Sequence, residues 1–242
     1  MIPCGDVLRR VSGGRVLDVG CGTGHFTRML TETLRDVRSV VGIDPNKDSI
    51  DEARRNTEDR RITYRVLSAM DLVEVPERFD TVAIGYALHH VTDPGRVIER
   101  MLRVLVPGGT LIVSEPVSDG LSPAERNGRD IHHFKAAIDT ARGLVHRPTL
   151  DREAVRDLVR EHELEVLDEC TGRREAEGGP SDPAAVKEAI DFLDEYLPFA
   201  EGSADYEKLM EERERLAGSI RREGIESPPH LVIVARKLGI GK

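Results

Sequence analysis

Three glycines in the run VLDVGCGTGHFT are spaced so that the backbone of one turn could lie directly against a bound ligand. They are Gly20, Gly22 and Gly24, and the acid Asp18 stands two residues before the first of them. Dinucleotide-binding and phosphate-binding proteins also use glycine-rich turns, but a carboxylate beside a phosphate would be unfavourable. The acid and the glycines together therefore favour a cationic ligand.

Two further acids could complete a nucleoside site. Asp44 lies 20 residues beyond Gly24, where a carboxylate at a strand end can accept hydrogen bonds from both hydroxyls of a ribose. It could instead cap the helix that follows Pro45. Asp71, in the segment SAMD, could accept a hydrogen bond from an adenine amino group or be an ordinary turn acid. Acids at three successive strand ends predict a nucleoside-binding crevice.

Histidine is the side chain best suited to take a proton near neutral pH, and the eight histidines of the chain are unevenly placed. His89 is the first candidate base, because it follows the fourth strand-like run. Local packing of His89 or His90 is the alternative. Tyr86, close by, could line a substrate pocket or fill the sheet edge, and His133 is a further candidate for catalysis.

A metal site is one interpretation of the segment HHFKAAID. His132 and Asp139 lie seven residues apart on one helical face, and His146 could join them as a ligand. Recognition of a substrate by His132, His133 and Arg142 is the better functional interpretation, with a plain surface helix as the default. The sequence prediction is therefore that no metal is bound.

These residues must be positioned by an α/β fold. From residue 15 to about residue 116, short β-branched runs alternate with helix-period segments, which is typical of βαβ units and a parallel sheet. One apolar stripe, at positions 97, 98, 101, 102 and 105, predicts a helix that packs on this sheet, and the run PGG at 107–109 is expected to end it. The predicted strands are residues 16–19, 40–43, 62–67, 81–84, 110–114, 165–170 and 230–236.

The whole chain, 1–242, is predicted to be one domain with a cofactor-binding core over 1–117 and two helical insertions after it. The first, 118–150, carries a helix over 122–139 and would lie on the substrate side. The second, 173–228, separates the last two strands and holds two amphipathic helices that should fold over an apolar surface. It carries 15 acidic and 8 basic residues between 173 and 227, so we interpret it as an acidic flap that either covers substrate or only confers solubility.

Composition excludes several classes of protein. With 33% charged residues and no long apolar run, a water-soluble globular protein is expected, and the first 15 residues do not resemble a signal peptide, which favours a cytoplasmic location. The net charge of −9 makes nucleic acid a poor partner. Cys4, Cys21 and Cys170 are odd in number and far apart, and are expected to be reduced thiols. The helical insertions could mediate a homodimer.

Four segments in order resemble the class I S-adenosylmethionine-dependent methyltransferases. They are VLDVGCGTG, the acid in VGIDP, FDTVAIGYALHHVTDP and LVPGGTLIVSEP, and the likeness covers about residues 10–117. The ALHHVTDP form looks most like the small-molecule branch that includes quinone-biosynthesis enzymes. The resemblance implies a Rossmann-like, seven-stranded, mostly parallel sheet whose last strand runs antiparallel at the edge.

The same resemblance implies roles for the site residues. Asp18 and the glycines would hold the methionine portion of S-adenosylmethionine, Asp44 the ribose, and the segment after the fourth strand the sulfonium side. The implied cofactor-binding residues are Asp18, Gly20, Cys21, Gly22, Thr23, Gly24, Asp44, Pro45, Ala69, Met70, Asp71, Gly85, Tyr86 and Ala87.

Such an enzyme would pass its methyl group to a small-molecule acceptor by in-line displacement, for which alignment of the two reactants is the main requirement. Two other functions remain open. A non-catalytic protein could use the same site to bind S-adenosylmethionine or another nucleoside. An NAD-dependent oxidoreductase would share the crevice and the ribose acid, but Asp18 and the lack of a catalytic dyad in a second domain argue against it.

Overall fold

A seven-stranded sheet forms the centre of the fold. The computed structural model describes residues 4–173 and 178–239. Every strand predicted from the sequence is present, and most are longer than the apolar run that marked them. The strands are β1 (Ser12–Val19), β2 (Arg35–Asp44), β3 (Ile62–Val66), β4 (Phe79–Gly85), β5 (Leu105–Pro116), β6 (Leu164–Gly172) and β7 (His230–Lys237).

The strand order is β3-β2-β1-β4-β5-β7-β6. Strands β1 to β5 pair in parallel, and β7 pairs antiparallel with both β5 and β6. This confirms the predicted α/β fold and the antiparallel last strand. The expected edge position of that strand is wrong, because β7 lies between β5 and β6. The order reverses between β1 and β4, where sheets of this kind bind ligands beyond the carboxyl ends of the strands.

Helices cover both faces of the sheet. The helices are α1 (Gly5–Leu8), α2 (His25–Thr33), α3 (Lys47–Arg55), α4 (Pro94–Val104), α5 (Pro123–Ala141), α6 (Arg152–Arg160), α7 (Pro183–Tyr196) and α8 (Tyr206–Glu223). On one face, α1, α2 and α3 bury residues such as Leu30 and Ile50 against Val16 and Ala83. On the other face, α4 and α6 pack against the alternate strand positions, including Leu17. Burial on both faces explains why the central strands are continuous apolar runs.

The helices of the two predicted insertions share an apolar core of their own. Phe134 and Ile138 of α5 pack with Leu193 of α7 and with Leu216 and Ile220 of α8. The apolar stripes of α7 and α8 therefore cover α5 and each other.

The run PGG does not end α4. That helix ends at Val104, and β5 begins at the next residue, so PGG lies inside the strand. The pairing of β4 with β5 is irregular there, because its register shifts between Phe79 and Thr81. A Cβ on Gly109 would lie 2.6 Å from Leu105 Cδ1, so only glycine fits this close approach. The expectation that PGG ends the helix, with Leu105 in the helical stripe, is wrong because these residues lie within β5, where its pairing with β4 is irregular.

Two of the three cysteines are paired. Cys4 and Cys170 form a disulfide that joins the N-terminal segment to β6, with the Cα atoms 5.8 Å apart. The expectation that all three cysteines are reduced is therefore wrong for this pair, which a separation of 166 residues hides from the sequence. Cys21 is a buried free thiol. In the described part of the chain, every helix is too short or too polar to cross a bilayer.

Candidate functional site

The glycine turn connects β1 to α2 at the predicted position. Gly20, Gly22 and Gly24 all have positive φ angles, of 71°, 50° and 83°, which a residue with a side chain rarely adopts. The N–H groups of Gly20 and Cys21 donate hydrogen bonds to the carbonyl oxygen of Ile43 at the end of β2. The turn is thus fixed to the neighbouring strand by its backbone.

Asp44 holds the turn from the β2 side. Its Oδ2 accepts a hydrogen bond from the Gly22 N–H at 3.0 Å, and its Oδ1 accepts one from the Asn46 N–H at 2.8 Å. The cap of α3 is Asn46, whose side chain accepts from the N–H groups of Asp48 and Ser49. Asp44 is therefore not the helix cap, and since a carboxylate has about four acceptor positions, its half-buried oxygens can still accept from a ligand.

Asp18 is fully buried in β1, immediately before the turn. Its Oδ2 accepts a hydrogen bond from the Thr27 hydroxyl at 2.6 Å, whereas Oδ1 has no hydrogen-bond partner among the residues that the structure describes. Burial raises the pKa of Asp18 to about 7, and the nearby charge of Asp44 adds to that rise, while the bond from Thr27 opposes it. A buried acceptor without a partner is uncommon and is characteristic of a binding or strained site.

A cavity of about 320 Å³ opens beside the turn. Most of its wall was predicted from the sequence, but His25 and Phe26 at the start of α2 were missed, although their position directly after the last glycine was a signal for them. The wall consists of Gly20, Cys21, Gly22, Thr23, His25, Phe26, Gly85 and Tyr86.

The remaining predicted cofactor residues are not part of the wall of this cavity. Gly24 is the N-cap residue of α2, and Ala87 is buried behind the turn, where a Cβ on Gly20 would lie 2.7 Å from it. Pro45 follows Asp44 and is exposed. The residues predicted for adenine, Ala69, Met70 and Asp71, start a 3₁₀ helix (Ala69–Glu74) after β3, at the same edge of the sheet.

Tyr86 is held in an unusual backbone conformation. Its φ angle is 59°, which costs a residue other than glycine about 1–3 kcal/mol. The Tyr86 ring is 41% exposed, and its centroid lies 4.1 Å from that of His230 at the start of β7. Strain of this kind persists where the surrounding contacts enforce it, and here it sets the direction of a side chain that lines the cavity.

Two of the hydrogen bonds that hold this turn go to Glu115, which was not predicted from the sequence. Its Oε1 accepts hydrogen bonds from the N–H groups of Ala87 and Leu88, and its Oε2 lies 3.0 Å from His89 Nδ1. Glu115 and His89 are 2% and 4% exposed. A lone acid in the otherwise apolar run LIVSEP was the signal that could have indicated it.

His89 belongs to a cluster of four imidazoles, the histidine cluster, formed with His90, His132 and His146. The ring centroids of His89 and His132 lie 4.7 Å apart, and those of His90 and His146 lie 4.2 Å apart. The Nε2 atoms of His132 and His146 are separated by 3.2 Å. Burial, reinforced by the neighbouring histidines, lowers the pKa of His90 and His132 to about 3, so these rings stay neutral.

His133 is not directed into this cluster. Its Nε2 accepts a hydrogen bond from the Thr149 N–H at 3.1 Å and lies 2.9 Å from the Thr149 hydroxyl. It also lines a second cavity, of about 860 Å³, between α5 and α8, and His146 reaches the wall of the same cavity. The structure therefore brings His132 to His89 and leaves His133 at the second cavity.

Asp139 anchors the histidine cluster to α7. It accepts hydrogen bonds from Lys135 at 2.7 Å and from the Tyr196 hydroxyl at 2.5 Å, and its Oδ2 lies 2.7 Å from His146 Nδ1. Burial by itself would raise the pKa of Asp139, but these hydrogen bonds outweigh burial and lower the pKa to about 2. Arg142, predicted to contact substrate, lies 3.8 Å from Asp139 and stacks over the Phe199 ring.

Curated relatives share part of this chain. A demethylmenaquinone methyltransferase from Oceanobacillus iheyensis is 34% identical over 116 residues, which are 46% of this chain and 49% of that protein. A mitochondrial ubiquinone biosynthesis O-methyltransferase from Homo sapiens is 39% identical over 109 residues, which are 42% of this chain and 28% of the relative. The chain spans about half the length, or less, of these relatives.

Solved structures share the fold. A cyclopropane-fatty-acyl-phospholipid synthase-like protein from Lactobacillus casei superimposes with a TM-score of 0.64 at 13% identity, covering 93% of this chain and 85% of its own. The N-methyltransferase NodS from Bradyrhizobium japonicum, in complex with S-adenosyl-L-homocysteine, gives 0.53 at 15% identity, with 95% and 81% covered. A family model described as a methyltransferase domain matches residues 10–155, more than half of the chain. With the glycine turn, Asp44 and the strained turn after β4 all inside that span, the chain belongs to the methyltransferase domain family.

Proposed function

We propose that this protein binds S-adenosylmethionine at the glycine turn and transfers its methyl group to a small-molecule acceptor. The observation that carries the proposal is the pair of acids around the turn, Asp18 beneath it with an unpartnered buried oxygen and Asp44 beside it with both oxygens held by backbone N–H groups. Negative charge at a glycine turn suits a ligand that carries a sulfonium and an ammonium group.

The residues present fit such a ligand. The positive φ angles of the turn allow its backbone to approach the ligand, and Asp44 retains acceptor capacity for ribose hydroxyls. Met70 and Asp71 are exposed at the next strand end, where an adenine ring would lie. The cavity beside the turn ends at Tyr86, at the carboxyl end of β4.

When bound, S-adenosylmethionine supplies a methyl group on a positively charged sulfur, and the leaving group is a neutral thioether. The protein's own task is alignment, which can lower a barrier by about 7–11 kcal/mol. Glu115 performs part of it by fixing the N–H groups of Ala87 and Leu88, so that Tyr86 keeps its direction at the cavity. The same carboxylate orients the His89 ring through Nδ1, and Nε2 of that ring takes no part in this contact.

The acceptor is proposed to be a small molecule, in agreement with the names of the curated relatives. Those relatives are named as methyltransferases of demethylmenaquinone and of ubiquinone biosynthesis, and each matches less than half of this chain. The family model matches residues 10–155, a span that does not include α7 and α8. The acidic flap and α5 would then enclose the acceptor and exclude water. A solvent-excluding cover is consistent with their shared apolar core.

One experiment tests both binding and turnover. Purified protein is titrated calorimetrically with S-adenosylmethionine and with S-adenosylhomocysteine, and is then incubated with labelled S-adenosylmethionine and a metabolite extract. We expect binding of both nucleosides and formation of S-adenosylhomocysteine that depends on the extract. Preference for a dinucleotide, or indifference to both nucleosides, would contradict the proposal, and binding without turnover in any extract would favour a non-catalytic nucleoside-binding protein.

A further inference from the structure

We propose that His89, His132 and His146 form a binding site for one divalent transition-metal ion of the zinc type, with a fourth coordination position left to water or to an acceptor heteroatom. The three side chains come from different parts of the chain, the turn after β4, helix α5 and the segment after it. They offer one ligand atom each, and these atoms all lie within 4.8 Å of one another.

The distances suit coordination by imidazole. Zinc binds histidine nitrogen at about 2.0–2.1 Å, so two nitrogens on one tetrahedral ion lie about 3.3 Å apart. The Nε2 atoms of His132 and His146 are already 3.2 Å apart. The His89 ring has to close in, by up to about 1.5 Å, for all three nitrogens to reach one ion.

Carboxylates behind two of the rings support the assignment. His89 Nδ1 lies 3.0 Å from Glu115 Oε2, and His146 Nδ1 lies 2.7 Å from Asp139 Oδ2. Histidines that bind metals nearly always donate their other ring N–H to a carboxylate, a carbonyl or water, which fixes the tautomer and makes the ligand nitrogen more basic. Both carboxylates are buried, so they act on the rings rather than on solvent.

A plain hydrogen bond between His132 and His146 does not account for the whole arrangement. It would satisfy one pair of nitrogens, whereas the structure also stacks His89 on His146 and places the tilted His90 ring beside His146. Four imidazoles converge, and two of them are oriented from behind by buried acids. Imidazole ligands favour zinc, copper, iron or nickel over magnesium or calcium, so the ion is of the first kind.

The position of the site gives the ion a use, which rests on the proposed function. His89 follows Tyr86 by three residues, and Glu115 holds the turn that carries both. Three protein ligands with an open fourth position are typical of catalytic rather than structural zinc sites. An oxygen, nitrogen or sulfur atom of the acceptor could take that position, so that the ion orients it near the methyl donor.

The test uses the metal alone. Protein dialysed against a chelator is titrated with Zn²⁺ by calorimetry, and the coordination geometry is read from the absorption spectrum of the Co²⁺ form. We expect about one ion per chain with a tetrahedral Co²⁺ spectrum, and a loss of affinity of at least about 100-fold in His132→Ala and in His146→Ala, because removing a ligand costs more than removing the carboxylate behind it. His162→Asn, in the turn between α6 and β6, is the matched control and should bind as the wild type does.

A second variant keeps the test informative if a histidine variant fails to fold. Asp139→Asn leaves all three ligands in place and should weaken Zn²⁺ binding by about 10–100-fold, with folding checked by circular dichroism. Wild-type protein that binds Zn²⁺ no better than His132→Ala would overturn the site. Protein that binds Zn²⁺ but neither nucleoside would support the metal site and contradict the proposed function. Protein that binds the nucleosides but not Zn²⁺ would support the proposed function and contradict the metal site.

Discussion

Glu115 and His89 lie in contact inside the protein, with Oε2 of the first 3.0 Å from Nδ1 of the second. The other carboxylate oxygen accepts two backbone hydrogen bonds from Ala87 and Leu88. One buried acid therefore determines both the conformation of the strained turn and the tautomer of the histidine that follows it.

Glu115→Gln should lower the free energy of unfolding by about 1–3 kcal/mol, because a neutral amide oxygen accepts the two backbone hydrogen bonds more weakly than a carboxylate does, and its NH₂ group can pair with His89 Nδ1 only if that ring changes its tautomer. Urea denaturation measures this change. The exposed Glu214→Gln is the control and should stay within about 0.5 kcal/mol of wild type. Equal stability of the two variants would show that the carboxylate does not hold the turn.

Asp44→Ala should weaken S-adenosylmethionine binding by at least about 100-fold. Two hydrogen bonds donated by ribose hydroxyls to a charged carboxylate contribute about 1.5 kcal/mol or more each, and the substitution also releases the Gly22 N–H that shapes the turn. Calorimetric titration measures the affinity. Asp51→Ala, on the surface of α3, should bind normally, and unchanged affinity in Asp44→Ala would contradict the ribose assignment.

The buried carboxyl of Asp18 should make the protein less stable as pH rises. Its pKa is raised from 3.8 to about 7 on folding, so between these values the folded state holds a proton that the unfolded state has lost. This loss in the free energy of unfolding is absent below pH 3.8, grows between pH 3.8 and about 7, and is constant above that. At about 1.4 kcal/mol per pKa unit, the full loss amounts to a few kcal/mol. Urea denaturation across this range should show a steeper decline for wild type than for Asp18→Asn.

The same group predicts how ligand binding depends on pH. A cationic ligand favours the charged form of Asp18, so S-adenosylmethionine should bind more tightly as pH rises towards 7, with release of a proton, and the affinity should level off above about 7, where Asp18 is already charged. Calorimetry in buffers of different ionisation enthalpy measures that proton. A pH-independent affinity in the wild type would place Asp18 outside the ligand's electrostatic reach.

Tyr196→Phe should detach α7 from Asp139. The lost bond joins a hydroxyl to a charged carboxylate, which typically contributes about 1.5–3 kcal/mol. Urea denaturation should therefore show a drop of that order, and hydrogen exchange should show faster opening of α7 than in wild type. Tyr206→Phe, at the start of α8, is the control. If both variants behave alike, the Tyr196 hydroxyl does not anchor the flap.

The Cys4–Cys170 disulfide predicts a thiol count. Denatured protein that has not been reduced should contain one reactive thiol per chain, from Cys21, and reduced protein should contain three. Closing a loop of 166 residues should stabilise the fold by about 2–5 kcal/mol, so reduction should lower the melting temperature. Three thiols before reduction would show that the bond does not form.

The sequence predicted the elements whose pattern is local. All seven strands followed from β-branched runs, and the turn residues followed from glycine spacing next to Asp18. The helix cap was harder, because Asp44 and Asn46 are both good capping residues and only the hydrogen bonds show that Asn46 takes the cap while Asp44 holds Gly22.

What the sequence left out depends on contacts between distant residues. His89 and His146 are 57 residues apart in the chain, and no local pattern indicates that the fold brings both of them next to each other and His89 next to His132 of α5. Glu115 needed the tertiary structure to reveal its three partners. The position of β7 was missed for a similar reason, since either side of β6 satisfies the same apolar pattern.

The place of β7 between β5 and β6 has a consequence for how the chain assembles. During synthesis, β6 emerges well before β7 yet has no neighbour in the sheet until β7 arrives, so the outer third of the sheet must wait for the ribosome to finish that last strand. Contacts between residues so far apart in the chain form slowly. We therefore expect nascent chains released before His230 to expose the apolar edge of β5 and to be captured by chaperones or degraded.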